Sequence, residues 1–262
     1  MSQKTYQTLA VTVQDGVQVI RLNRPEKRNA INQDMYREIP EALLDGALNN
    51  DVVVTVITGS GSYYCSGNDL SGYLSWSGSD LEKTLEQAAA ILRTFVQSFI
   101  DFPKILVGVV NGPAVGLATT TLALFDVVYC ANNATFSTPF TALGLTPEGC
   151  SSYTFPKLLG PLRAAQLLSF GKVLSSAEAL NWGFVSEVYA PTDENEIWKR
   201  IHALAQLPSK SLIYGKRLLR SQDRAALYEA NRKECEQLVE RWQSEDCMNA
   251  VSNFFSAKRS KL

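Results

Sequence analysis

Short runs of β-branched and apolar residues at 52–58, 105–110 and 127–130 are separated by helix-periodic segments, and this alternation restricts the fold more than any other feature. A strand rich in Val and Ile with no polar face is buried on both sides, as in a parallel sheet whose crossovers are helices. The intervening segments supply those helices. Residues 32–48 have helical spacing with Asn32 placed to cap them, 81–100 are long and amphipathic, and 117–125 are short and apolar. At the start, 8–13 and 17–22 alternate around Gln14-Asp15-Gly16, whose Asp-Gly pair marks a hairpin. After about residue 160 the pattern becomes almost wholly helical, at 162–170, 176–182, 195–207, 210–220 and one long segment near 223–257. The expectation is an α/β core over 1–160 and a C-terminal helical subdomain over 161–262. That subdomain would cover one end of the core or contact neighbouring subunits, with no low-complexity linker between the two.

Composition excludes several function classes. With 262 residues, 45% hydrophobic and 19% charged, the chain can bury a substantial core. Lys+Arg 25 against Asp+Glu 26 leaves a formal charge of −1, which argues against nucleic acid or an anionic membrane as partner. No apolar stretch approaches the roughly 20 residues of a membrane span, and the opening MSQKTYQTLA lacks the apolar core of a signal peptide. The reading is a soluble, non-secreted protein. Its cysteines, Cys65, Cys130, Cys150, Cys235 and Cys247, show no C-x-x-C pair, so free thiols in a reducing compartment are expected and no structural zinc or other metal. The single histidine, His202, lies in a helical stretch, which removes Ser–His and Cys–His nucleophilic pairs. The last residues, Ser260-Lys261-Leu262, form the S-K-L address read by the peroxisomal import receptor, after a basic Lys258-Arg259 lead-in.

One carboxylate stands out. From Pro113 to Pro147 the ionisable side chains are Asp126, Tyr129 and Cys130, and Glu148 then arrives in Leu145-Thr146-Pro147-Glu148-Gly149-Cys150-Ser151-Ser152. A carboxylate in such surroundings is poorly solvated, and its pKa should be raised toward that of a useful general base. Upstream, Gly112, Pro113 and Gly116 punctuate a turn before the apolar run 117–124, a helix start with free backbone N–H groups. A base beside such donors suits proton abstraction next to a carbonyl.

Four strings occur together in order: Leu22-Asn23-Arg24-Pro25-Glu26-Lys27-Arg28-Asn29-Ala30, Cys65-Ser66-Gly67-Asn68-Asp69-Leu70, Val110-Asn111-Gly112-Pro113-Ala114-Val115-Gly116, and Asp126. Together they resemble the crotonase (enoyl-CoA hydratase/isomerase) superfamily over nearly the whole chain. Within it, Ser66–Leu70, the segment 146–156 and the terminal S-K-L look like the peroxisomal Δ3,Δ2-enoyl-CoA isomerase branch. The resemblance implies a crotonase-like ββα superhelix, or spiral, and a homotrimer or dimer of trimers in the peroxisomal matrix. The implied activity converts 3-enoyl-CoA to trans-2-enoyl-CoA for β-oxidation of unsaturated fatty acids. Coenzyme A would be part of the substrate, with no separate cofactor. Some members of the branch carry an N-terminal acyl-CoA-binding domain, for which there is no room before Thr8; a shorter form or a removed domain is expected.

The resemblance also implies roles residue by residue. The backbone N–H groups of Asn68 and Leu117 would form an oxyanion hole. Ser66, Gly67, Asp69, Leu70, Gly116 and Phe140 would line the substrate, and Glu148 would carry the proton from C2 to C4. Hydratases of the family use two glutamates at positions that here hold Thr120 and Phe140, so hydration and dienoyl isomerisation are disfavoured. Phe140, Leu145, Trp76 and Tyr73 are candidates for the acyl tunnel, with ordinary core as the alternative; Lys27 and Arg28 are candidates for the CoA nucleotide, with a solvated turn as theirs. Asp126 reads as a structural brace, Asp69 as a support for its loop and Cys150 as a small buried hydrophobe. Two other classes stay open: another crotonase-type enzyme such as a hydratase or thioesterase, and a non-catalytic acyl-CoA-binding protein.

Overall fold

The computed structural model describes residues 4–71 and 80–259. Its strands are Leu9–Gln14 (β1), Val17–Leu22 (β2), Val54–Gly59 (β3), Ile105–Val110 (β4), Ala114–Val115 (β5), Val127–Ala131 (β6), Thr135–Ser137 (β7), Leu174–Ser175 (β8) and Glu187–Tyr189 (β9). Six of them form one sheet in the order β1-β2-β3-β4-β6-β9, and β5-β7-β8 form a small second sheet. The opening hairpin is antiparallel, whereas every later pairing in the large sheet is parallel. The helices are Gln33–Leu48 (α1), Leu81–Asp101 (α2), Leu117–Thr120 (α3), Ser151–Leu159 (α4), Pro161–Leu168 (α5), Ser176–Asn181 (α6), Glu194–Ala205 (α7), Ser209–Ser221 (α8), Arg224–Trp242 (α9) and Glu245–Arg259 (α10).

The continuous apolar strands are explained by helices on both faces of the sheet. Alternate residues Val54, Val56, Val107 and Val109 pack toward Ile197, Ile201 and Ala205 of α7. The intervening Ile57, Leu106 and Val110 enter the larger core with Met35 and Ile39 of α1 and Phe95 and Phe99 of α2. Each such side chain, fully buried, contributes about 1.5–3 kcal/mol. Asn32 caps α1 as expected, its side-chain oxygen accepting the Met35 N–H at 3.0 Å.

The second half is largely helical, as expected, but it also contributes strands that the helical reading did not place. The strands β8 and β9 lie in it, and β9 adds the sixth strand of the main sheet beside β6. Two or three residues are too short to display a period, so pairing with β6 and β7, not local pattern, makes them strands. The long segment expected near 223–257 is two helices: α9 ends at Trp242, and α10 begins after Ser244, whose hydroxyl accepts the Cys247 N–H at 3.3 Å. The helix α4 is likewise absent from the expectation. Tyr73, Trp76 and Ser260-Lys261-Leu262 lie outside the described residues, among which no helix is long and apolar enough to cross a membrane.

Candidate active site

Backbone pairing between loops builds the site. Cys65 bridges Ala114, with Cys65 N–H donating to Pro113 O at 3.2 Å and Val115 N–H donating to Cys65 O at 3.0 Å. Asn68 bridges Ile31: Ile31 N–H donates to Gly67 O at 2.8 Å, and Asp69 N–H donates to Ile31 O at 2.9 Å. Successive groups on extended backbone alternate in direction, so the Asn68 N–H faces away from Ile31. Gly67 makes this closeness possible. At its φ of +82°, a Cβ would stand 2.7 Å from Val115 O and 3.8 Å from Gly116 Cα. The loop carrying Asn68 therefore lies directly on the turn that opens α3, where Leu117 is the first helical residue and its N–H has no intrahelical acceptor. The two expected oxyanion donors belong to loops in contact.

Glu148 reaches the same place from the turn before α4 and is 5% exposed. Its successor Gly149, at φ +71°, is pressed against α3: a Cβ there would be 2.4 Å from Thr120 Oγ1 and 3.2 Å from Leu117 Cδ1. The Asn68 side-chain amide donates to Glu148 Oε1 at 3.2 Å, and Tyr36 OH donates to Asn68 Oδ1 at 2.8 Å. Burial, and then the negative charge of Glu234, push the Glu148 carboxyl up to about 8, against the Asn68 hydrogen bond that favours ionisation. Such a group can take and return a proton near neutral pH.

Three features here were not read from the sequence. The side chain of Asn68, whose expected role was through its backbone N–H, holds the candidate base. Tyr36 orients that amide from α1. Glu234, from α9, is a second buried carboxylate behind Glu148, although no acidic residue stands between Asp126 and Glu148 or between Glu148 and Glu178 in the chain. Its only sequence signal is its place in an apolar helical stripe with Leu227, Cys235, Leu238 and Trp242.

The supporting residues sort by their contacts. Burial opposes the charge of Asp69, but two donors from Ser71 and the Arg24 guanidinium at 3.3 Å hold its carboxyl below the usual range. Asp126 accepts Leu106 N–H at 2.8 Å and Lys216 Nζ at 2.7 Å, bracing β4 against α8. Thr120 is buried with its hydroxyl on Leu117 O, and Phe140 is buried with its ring beside Gly116. The Cys150 thiol is raised by burial and donates to Leu227 O at 3.4 Å, which leaves it inert as a nucleophile. Among the described residues no group of three or more His, Cys, Asp or Glu is placed to hold a metal ion.

A cleft of about 920 Å³ opens beside the site, lined by Arg24, Lys27, Arg28, Ser66, Asn68 and Phe254 among others. It brings the two candidate CoA cations, with Ser66, Asp69 and Leu70, onto one wall. A second pocket of about 220 Å³ runs from Asn68 between α1 and α2, past Ile31, Tyr36, Ile91, Leu92 and Trp242. Neither Phe140 nor Leu145 is among its lining residues. A third cavity of about 200 Å³, between α2 and α8, contains none of the candidate catalytic or substrate-binding residues.

Known proteins are similar to this chain in sequence and fold. The family profile described as "Enoyl-CoA hydratase/isomerase" matches residues 12–261. "Enoyl-CoA delta isomerase 2" of Homo sapiens is 49% identical over 258 residues, 98% of this chain but 65% of that protein. "Enoyl-CoA delta isomerase 3, peroxisomal" of Mus musculus is 44% identical, over 97% of this chain and 80% of its own. The chain thus spans a little under two thirds of the human relative's length. The crystal structure of an enoyl-CoA hydratase/isomerase from Pseudoalteromonas atlantica superimposes with a TM-score of 0.86 at 28% identity, covering 96% of this chain and 98% of that one. With its motifs, fold and near-complete match to the profile in agreement, the chain belongs to the enoyl-CoA hydratase/isomerase family.

Proposed function

We propose that this chain is a Δ3,Δ2-enoyl-CoA isomerase that converts 3-enoyl-CoA to trans-2-enoyl-CoA in the β-oxidation of unsaturated fatty acids. The observation that carries the reading is a buried carboxylate, Glu148, held by the Asn68 side chain beside the start of α3. Hydration needs an acid and a base to handle water, and the positions that would supply them hold Thr120 and Phe140. Glu234 does not fill the gap, because both its oxygens accept backbone N–H groups, from Cys150 and Ser152.

In this mechanism the thioester oxygen lies between the N–H groups of Asn68 and Leu117. Glu148 removes the C2 proton, and the electron pair of that C–H bond delocalises into a dienolate whose charge rests on the thioester oxygen. The protonated Glu148 then returns the proton at C4, leaving a C2=C3 double bond. Each backbone donor contributes roughly 3 kcal/mol to the oxyanion in a water-excluded site. No metal or redox cofactor enters, and coenzyme A arrives with the substrate. Its nucleotide end is assigned to the cleft with Lys27 and Arg28, the latter held 5.0 Å over the Tyr63 ring.

Ser260-Lys261-Leu262 suits import into the peroxisomal matrix, and the mouse relative is named peroxisomal. A homotrimer or dimer of trimers is supported by exposed apolar side chains on α5 and α8, where Leu162 and Leu219 are each 80% exposed. Spectrophotometry with 3-hexenoyl-CoA tests the activity: isomerisation should greatly exceed water addition to a 2-enoyl-CoA. Hydration as the faster reaction would overturn the assignment.

A further inference from the structure

The backbone that follows Glu148 has an unusual conformation and an external anchor. Gly149 and Cys150 are both left-handed, at φ +71° and +64°, and a side-chain-bearing residue such as Cys150 occupies that region at a cost. The helix α4 begins there without a side-chain cap of its own. Its place is taken by Glu234, 5% exposed, whose Oε2 accepts Cys150 N–H at 2.7 Å and Oε1 accepts Ser152 N–H at 2.8 Å. One turn earlier on α9, the Asn231 amide donates to Arg93 O of α2 at 2.9 Å, so the anchor belongs to a tethered helix pair.

We propose that Glu234 is a positioning residue for Glu148: as a carboxylate it clamps the left-handed turn after the base, aims the base at Asn68, and faces it with a fixed negative charge. The proposal rests on the reading of Glu148 as the proton carrier. Burial raises the Glu234 carboxyl too, against the Ser152 and Cys150 donors that favour its charge; on this proposal those donors let it ionise first, so the base stays protonated to higher pH than burial alone would dictate. The other titratable groups around the pair are the thiols of Cys150 and Cys235, with Arg93 on α2 and Glu236 on α9 acting on Cys235 from further out. Both thiols are raised by burial and neutral, which leaves Glu234, among the described residues, as the charge that Glu148 feels.

Two substitutions separate the clamp from the charge. Glu234→Gln removes the charge and turns one acceptor into a donor, so the acid limb of kcat/KM should move down by about one pH unit. Its kcat should fall roughly tenfold to a hundredfold with KM little changed. Glu234→Asp keeps the charge but reaches less far, so kcat should fall with the limb in place. If both variants keep the wild-type limb and kcat while Glu148→Gln is inactive, Glu234 has no such role; an active Glu148→Gln would instead overturn the base itself. Infrared spectroscopy needs no change at 234. At neutral pH the wild type should show the C=O stretch of a buried protonated carboxyl, and Glu148→Gln should abolish it. Persistence of that band in Glu148→Gln would identify Glu234 as the protonated partner and refute the clamp.

Discussion

Replacing Glu148 by Gln should make the protein more stable in alkaline solution as it destroys turnover. Burial, and then the charge of Glu234, raise this carboxyl from 4.5 to about 8. At 1.36 kcal/mol per pK unit, the ionised side chain is about 5 kcal/mol costlier in the fold than in the unfolded chain. The sign follows from proton binding: between pH 4.5 and about 8 the native state holds a proton that the unfolded chain has lost, so wild-type stability falls as pH rises through that window. Glutamine does not titrate. It keeps an acceptor for the Asn68 amide, and its own buried N–H group costs about 1–3 kcal/mol. The variant should therefore be less stable than wild type by about 1–3 kcal/mol at pH 4.5. It should match wild type near about pH 6 and exceed it by about 2–4 kcal/mol at pH 9. Urea unfolding of both proteins across this range reads the difference, because titrating groups remote from Glu148 cancel, leaving Glu148 and the groups coupled to it. Turnover should fall by on the order of a hundredfold to ten-thousandfold, in kcat more than in KM. A difference in stability that stays flat from pH 5 to 9, or turnover within about threefold of wild type, would refute the reasoning.

Gly67→Ala should lower stability by about 1–3 kcal/mol and reduce kcat, because its Cβ would meet Val115 O at 2.7 Å and displace the Asn68 N–H; unchanged melting and turnover would contradict the role given to Gly67. Tagged protein lacking Ser260-Lys261-Leu262 should become diffuse in cells, and peroxisomal filling without a full-length copy would rule out the targeting role. Sedimentation should show a trimer or hexamer, whereas a concentration-independent monomer of about the chain mass of 28.9 kDa would exclude it.

The alternation of apolar strands and amphipathic helices in the first half is local information, and β1 to β4 with α1 to α3 follow it closely. Glu148 was legible for a related reason, as a charge in a stretch that offers it little solvation. The four motif strings added the family, and with it Asn68 and Leu117 as donors through their backbone. Short strands β8 and β9 carry no such signal, since a strand of two or three residues exists only through its partner.

The amino-acid sequence thus determined the parallel core, the candidate base and the glycine-bearing turns around it, because periodicity, solvation and backbone freedom act over a few neighbouring residues. Tertiary structure decided what that base touches. Tyr36 lies 32 residues before Asn68, Asn68 lies 80 before Glu148, and Glu234 lies 84 beyond the Cys150 whose N–H it binds. Hydrogen bonds and low-dielectric charge contacts reach only a few ångströms, so their partners are fixed by how α1, α9 and the loop before α3 pack together, not by distance along the chain.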